Sequence, residues 1–352
     1  MLATEVPSVT DYRVFPSPSD ILAAVRMPTT TAAHVARSRD EVRAVLDGTD
    51  DRLIVITGPC SVHDPQAALE YAVRLAAVGL ADELLIIMRA YLEKPRTVTG
   101  WTGLVNDPGL DGSHDMHRGL REARQLLVSL ATLGVPAACE WVNPVIPSFL
   151  ADAVTWSAVG ARTSESQVHR QLASGLPMPA GFKNATDGDV QVAADACRAA
   201  ASGHTFLGIT PVGTIGLVTS PGNPDCHVVL RGGRGGPNFD PLSVARALKV
   251  IEAAGLPRRV VIDAAHGNSG KDHRRQPQVG RSVAAQVAQG EHAIRGVMLE
   301  SFLVAGRQDP GDPAGLTYGQ SITDPCMDFA TTRALLEDLA EAVRQRRQGG
   351  AR

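Results

Sequence analysis

Cys60, Arg89, Glu140, Arg162, Lys183, Arg231, His266 and Glu300 each stand at the end of a short apolar run, and Lys94 follows closely on Arg89. Two chemistries can be read from these side-chain types. Arg89, Lys94, Arg162, Lys183 and Arg231 are cations that repel one another if brought into one space, so such a space calls for a polyanionic substrate. Phosphate plus carboxylate is the natural choice, because guanidinium forks grip paired oxygens. Cys60, His266 and Glu300, with Asp324 of YGQSITDPC as a fourth member, offer sulfur, nitrogen and oxygen donors. That mixture suits a divalent transition metal such as Mn, Fe, Co or Zn better than Mg or Ca. Each residue also has an ordinary explanation: a core thiol, a structural histidine, a carboxylate answering one arginine. The fold must gather them for the chemistry to follow.

The elements that could do so recur along the chain. LLIIMRAYLEKPRTVTG, from Leu84 to Gly100, starts as five large apolar residues without polar alternation, as in a parallel strand covered on both faces. It then releases Arg89, Glu93, Lys94 and Arg96 into a loop stiffened by Pro95. From residue 52 onward, strand, polar loop and helix alternate. Strands are expected at Leu53–Thr57, Leu84–Met88, Val135–Cys139, Ala158–Ala161, Ala180–Phe182, His227–Leu230, Val260–Asp263 and Val297–Leu299. Asp64 can cap a helix opening at Pro65, and His114–Leu133 reads as a helix stopped by Gly134. FLGI and GLV, between residues 205 and 225, suggest a hairpin inserted before the sixth strand.

About eight strand–helix units predict an α/β fold, a (β/α)8 TIM barrel, with an open doubly wound sheet as the alternative. No GxGxxG follows the first strand, so a dinucleotide site has no support. Residues 1–50 are expected to form a helical N-terminal extension, used for packing or oligomer contacts, and residues 51–352 the catalytic barrel. Within the extension, Ser19 or Asp20 of PSPSD could cap a short helix through Ala24, and Thr31–Leu46 reads as a second helix.

Composition bounds the rest. Hydrophobic residues make up 44% and aromatics 4% of 352, so the core is aliphatic. A net charge of -3 argues against a general nucleic-acid or membrane-surface binder. Without a signal peptide or a run of membrane-spanning length, a cytoplasmic protein is expected. Cys60, Cys139, Cys197, Cys226 and Cys326 are odd in number and lack CxxC spacing, which disfavours a disulfide framework. Only Lys94, Lys183, Lys249 and Lys271 are lysines among 34 basic residues, so a lysine can mark a site needing a compact ammonium. Gly232 and Gly233, after Arg231, would let backbone approach a ligand closely.

GPCSVHDP, MRAYLEKPRT, GWTGLVNDP, GARTSESQVHRQLASGL, GFKNATDG, DCHVVLRGG, DAAHGNSGK and YGQSITDPC closely resemble the type I 3-deoxy-D-arabino-heptulosonate 7-phosphate (DAHP) synthases, the aromatic-amino-acid-regulated kind. The likeness runs from about residue 30 to the C-terminus. It implies a metal-dependent (β/α)8 barrel that condenses phosphoenolpyruvate with erythrose 4-phosphate, the first step of the shikimate pathway. It further implies that Cys60, His266, Glu300 and Asp324 bind the metal. Arg89, Lys94, Arg162, Lys183 and Arg231, with backbone at Gly160 and Ala161, would hold phosphoenolpyruvate. Lys94, Pro95, Arg96 and Thr97 would receive erythrose 4-phosphate, with Arg96 and Thr97 on its phosphate. Lys94 would protonate the developing alkoxide and Glu140 would orient a water or serve as a structural partner of an arginine. Asp324 joins these two as a candidate catalytic residue. Family members are often dimers or tetramers, so a homo-oligomer is expected.

Asn143 stands where feedback-inhibited members usually carry an acid, and Pro177 and Ile215 where polar residues are common, which implies a weakly regulated copy. Rival readings are a synthase for another aldose phosphate, a non-catalytic partner subunit of a shikimate enzyme, and a metal-dependent aldolase or hydrolase. Intact candidate ligands and site lysines speak against the second, and the last gives no reason for so many converging cations.

Overall fold

The computed structural model of the chain describes residues 11–311 and 313–349; residues 1–10 of the expected extension, residue 312 and residues 350–352 lie outside them. Two helices, α1 (Pro18–Ala24) and α2 (Thr29–Asp47), precede the first strand. The barrel then runs β1 (Leu53–Gly58), α3 (Pro65–Ala76), β2 (Leu84–Arg89), α4 (Met116–Thr132), β3 (Ala137–Trp141), α5 (Pro147–Leu150), β4 (Trp156–Val159), α6 (Gln167–Ser174), β5 (Ala180–Lys183) and α7 (Gln191–Ala201). A hairpin, β6 (His204–Ile209) and β7 (Ile215–Ser220), interrupts it. There follow β8 (His227–Leu230), α8 (Pro241–Ala253), β9 (Val260–Asp263), α9 (His266–Ser269), α10 (Gln276–Ala288) and β10 (Ile294–Glu300). Two short strands, β11 (Val304–Arg307) and β12 (Gln320–Ser321), and the long α11 (Phe329–Gly349) end the described chain.

Eight parallel strands close in the order β1-β10-β9-β8-β5-β4-β3-β2. Closure comes at β1, where Ile54 pairs with Gly296 of β10 on one side and Leu85 of β2 on the other. Apolar runs without alternation follow from two buried faces. Ile54, Ile56, Leu85 and Ile87 point into the barrel, while Leu53, Val55, Leu84 and Met88 join the layer shared with the helices. Trp156 also lies inside. Gly181 makes room for it, because a Cβ there would sit 2.6 Å from the indole.

One end of the barrel is closed by α2. Its Val42, Val45 and Leu46 are buried against Ile54, Val229, Val261 and other interior residues. Each such side chain contributes roughly 1.5–3 kcal/mol. Arg259 Nη1 reaches Asp47 at 2.6 Å, tying the start of β9 to the end of α2.

Several boundaries differ from expectation. The cap of α1 is Ser17, whose hydroxyl accepts from Asp20 N while Asp20 Oδ2 accepts from Ser17 N, with Pro18 at the first helical position. Strand β4 begins earlier, at the buried Trp156, and stops at Val159, because the Gly160 carbonyl turns back to accept from Thr163 N and Ser164 N. Strand β3 starts later and takes in Glu140. Strand β10 is longer than expected, since Arg295 and Gly296 masked its first half. The inserted hairpin is antiparallel, with Leu207 opposite Leu217, and leaves Leu207, Ile215 and Leu217 more than 70% exposed.

Candidate active site

Parallel strands put every carboxyl end at one mouth, so side chains far apart in sequence meet there. A cavity of about 400 Å³ occupies it. Cys60, Arg89, Lys94, Pro95, Arg96, Thr97, Glu140, Gly160, Ala161, Arg162, Lys183, Arg231, His266 and Asp324 all line it. Glu300 lies behind the wall, 2% exposed, in contact with Arg89 and His266.

The deepest cations are matched by carboxylates. Arg89, at the end of β2, places Nη2 3.1 Å from Glu300 Oε1. Its Nη1 donates to the carbonyls of Pro59 and Cys60, fixing the turn that presents the thiol. The guanidinium also stacks 3.6 Å above the Tyr91 ring. Arg89 Nε and Glu300 Oε1 have no hydrogen-bond partner among the described residues. Lys183 Nζ lies 3.3 Å from Asp263 and 3.5 Å from Glu140. Burial opposes ionisation of Glu140, but Lys183 and then Arg89 outweigh it and hold the carboxyl below its ordinary range. Asp263 follows the same logic: burial is overcome by His266 and Lys183.

Lys94 Nζ bridges Cys60 Sγ at 2.9 Å and Asp324 Oδ2 at 3.1 Å. Burial pulls its ammonium toward neutrality, yet Cys60 and Asp324 more than offset this and raise its pKa. The Cys60 thiol itself is pushed up by burial first and Glu300 second, with Lys94 and Arg89 opposing.

The other cations differ. Arg162 Nη2 donates to Thr97 Oγ1 at 2.8 Å, and Arg231 Nη1 to the Gly232 carbonyl at 3.1 Å. Neither they nor Arg96 form an ion pair among the described residues, unlike Arg89, Lys94 and Lys183. The expected repulsion of five cations is therefore half relieved by the protein itself, and the unmatched charge concentrates on arginines nearer the opening.

One donor atom each from Cys60, Glu300 and Asp324 lies within 4.8 Å of the others, a set able to hold a metal ion. His266 Nε2 is 3.7 Å from Glu300 Oε1, and its Nδ1 is 2.9 Å from Asp263 Oδ2. Soft sulfur beside nitrogen and oxygen, with a buried Glu300 oxygen lacking a hydrogen bond, fits a divalent transition ion.

Several members of this constellation escaped the sequence reading. Asp263 was read only as a strand end, although an acid closing a buried strand was the available signal. Glu93 carries no signal beyond adjoining Lys94, and Tyr91, between Ala90 and Leu92, carries none. Arg307 and Lys271 also line the cavity, Arg307 from a strand beyond the barrel proper. Gly232 and Gly233 do not line the cavity. A Cβ on Gly232, whose φ is +70°, would sit 2.5 Å from Gly267 backbone, and one on Gly233 2.3 Å from Gly188 N, so they allow loop to pack on loop.

Comparison with known proteins agrees with this geometry. Residues 28–337 match the family described as "DAHP synthetase I family". A "Phospho-2-dehydro-3-deoxyheptonate aldolase" of Corynebacterium glutamicum is 49% identical, over 98% of this chain and 96% of its own. The Phe-sensitive enzyme of that name from Escherichia coli is 51% identical, over 89% of this chain and 90% of its own. A solved structure of the Francisella tularensis aldolase superposes with a TM-score of 0.94 at 46% identity, covering 96% of this chain and 99% of that one. The chain belongs to the DAHP synthetase I family.

Proposed function

We propose that this chain is a 3-deoxy-7-phosphoheptulonate synthase, which condenses phosphoenolpyruvate with erythrose 4-phosphate and water, releases phosphate, and opens the shikimate pathway. The observation that carries the reading is one cavity in which unpaired arginines adjoin a sulfur–oxygen donor cluster. Arg162, Arg231 and Lys183, with Arg89, Lys94 and the backbone of Gly160 and Ala161, are assigned to phosphoenolpyruvate. Lys94, Pro95, Arg96 and Thr97 are assigned to erythrose 4-phosphate; the contact of Arg162 with Thr97 brings the two sets together.

Cys60, His266, Glu300 and Asp324 would hold one divalent ion, Mn, Fe, Co or Zn, which supplies Lewis acidity to the aldehyde oxygen. The enol electron pair of phosphoenolpyruvate forms the new bond to the aldehyde carbon, and the C=O π pair moves onto the aldehyde oxygen, which stays attached as an alkoxide. Lys94, its ammonium favoured by the Asp324 carboxylate, would give it a proton. Positive charge then develops at the carbon bearing phosphate. Glu140, held ionised beside Lys183, orients the water that adds there, and C–O cleavage expels phosphate. Asp324 contributes by fixing Lys94. The arginines align two anions that would otherwise repel, a positioning effect.

We assign the work to the cytoplasm; no helix among the described residues is long and apolar enough to cross a membrane. Residues 1–50 are proposed as an extension to the barrel of 51–352, and the exposed Leu207, Ile215 and Leu217 support a homo-oligomer, dimer or tetramer, measurable by sedimentation. The test of function is purified protein stripped with EDTA and then given back each metal. Loss of phosphoenolpyruvate absorbance on adding erythrose 4-phosphate is expected only after add-back. No consumption under any metal would reject the proposal.

A further inference from the structure

Glu93 is buried to 2% exposure beside the cavity, yet it does not line it. The chain between Ala90 and Arg96 has no regular secondary structure, and successive side chains of an extended run point to opposite sides. Lys94 therefore enters the mouth while Glu93 turns away, toward the loop that leaves β3. There its Oε2 accepts from Val142 N at 3.2 Å and its Oε1 from Asn143 N at 3.2 Å. Val142 is held from the far side as well, because its carbonyl lies 2.9 Å from His169 Nε2 on α6. Ser166, the cap of α6, closes on His169 Nδ1 at 2.9 Å, and the turn leading to it carries Arg162.

Two ties thus join the loops leaving β2 and β4. One is at the rim, from Arg162 to Thr97; the other is at the base, from Glu93 through Val142 to His169. Residues 96–100 are exposed, so the rim tie alone leaves them weakly held. The base is firmer. Lys94 N donates to Thr102 O at 2.9 Å, Val105 N to Leu92 O at 3.2 Å, and Gly103 packs so closely that a Cβ would lie 2.5 Å from Glu93 Cα.

We propose that Glu93 is a positioning residue for the aldose phosphate: its carboxylate clamps the root of the Lys94–Thr97 segment to the loop after β3 and so fixes where that segment receives its substrate. The inference rests on the functional reading above and adds to it a determinant of affinity that falls mainly on one substrate. A carboxylate suits the task because two N–H donors require two acceptor oxygens. Glutamine supplies one oxygen and turns an NH2 toward the second N–H. Arg231 and Lys183 stand on other strands, so the clamp bears on the phosphoenolpyruvate side only through Lys94 and the turn of Arg162, and more heavily on the aldose phosphate, whose segment it roots directly.

The test is steady-state kinetics of Glu93→Gln with each substrate varied in turn, at a pH above 7 where Glu93 is ionised, together with amide exchange of residues 94–102. The expected result is a rise in KM for erythrose 4-phosphate of about tenfold, equivalent to about 1.4 kcal/mol, with KM for phosphoenolpyruvate within about twofold of wild type. Exchange at the Lys94 amide is expected to quicken while the barrel strands keep their protection. Equal shifts in both KM values, or wild-type KM values with unchanged exchange, would overturn the clamp. Should the glutamine variant fail to fold, Glu93→Asp carries the test: a smaller rise in the same KM supports the clamp and a wild-type KM rejects it. A wild-type protein that consumes no phosphoenolpyruvate would sink the functional reading instead, and the exchange measurement remains independent of it.

Discussion

The two ends of the barrel solve opposite problems with the same backbone. At the closed end, Val42, Val45 and Leu46 of α2 fill the interior with hydrocarbon, and the arginines there turn to carbonyls and one exposed carboxylate: Arg39 to Val154 and Ala151, Arg259 to Pro224 and Asp47. At the open end, Arg89, Lys94 and Lys183 are buried as charges, each matched to a carboxylate. Replacing a buried ion pair by apolar residues is often neutral or stabilising, so the open end is not built for stability. The difference teaches where to look for function in a barrel: at the end where burial is costly and valences remain unfilled.

Breaking the open end should damage turnover and spare the fold. Lys94→Ala removes the proposed proton donor, and kcat is expected to drop by about a thousandfold, or about 4 kcal/mol of barrier, in the phosphoenolpyruvate absorbance assay. A loss under tenfold would deny Lys94 its role. Breaking the closed end should do the reverse. Leu46→Ala is expected to cost about 3 kcal/mol in denaturant unfolding, with kcat per folded molecule unchanged. Arg162→Ala probes the boundary between matched and unmatched charge. It leaves no buried carboxylate behind, so stability should hold while KM for phosphoenolpyruvate rises about thirtyfold, about 2 kcal/mol.

The smallest effect concerns Glu93, whose carboxyl burial pushes up to about 7 from an ordinary 4.5. The folded chain then holds a proton there that the unfolded chain has released, so between pH 4.5 and 7 this residue makes stability fall as pH rises. Unfolding midpoints of wild type and Glu93→Gln, measured across that window, should differ by this slope. Parallel curves would show that Glu93 is not shifted.

The strand ends were legible because a buried parallel strand is a short apolar run and a charge beyond it is conspicuous. Cys60, Arg231 and His266 stood out for that reason, and they do share one cavity. What crosses the barrel was not legible. Asp263 serves Lys183 and His266 from inside a strand, and no local spacing records that contact. The apolar face of α2 was readable as a helix face but not as the plug, since amphipathicity names no partner. Gly232 and Gly233 pack loop on loop, because small residues signal close approach without saying what approaches.

The most direct measurement is anomalous diffraction from crystals grown with Mn and phosphoenolpyruvate. A Mn peak bounded by Cys60, His266, Glu300 and Asp324 is expected, with the phosphate on Arg162 and Arg231 in the same cavity. A Mn peak elsewhere, or phosphoenolpyruvate bound away from those arginines, would contradict it.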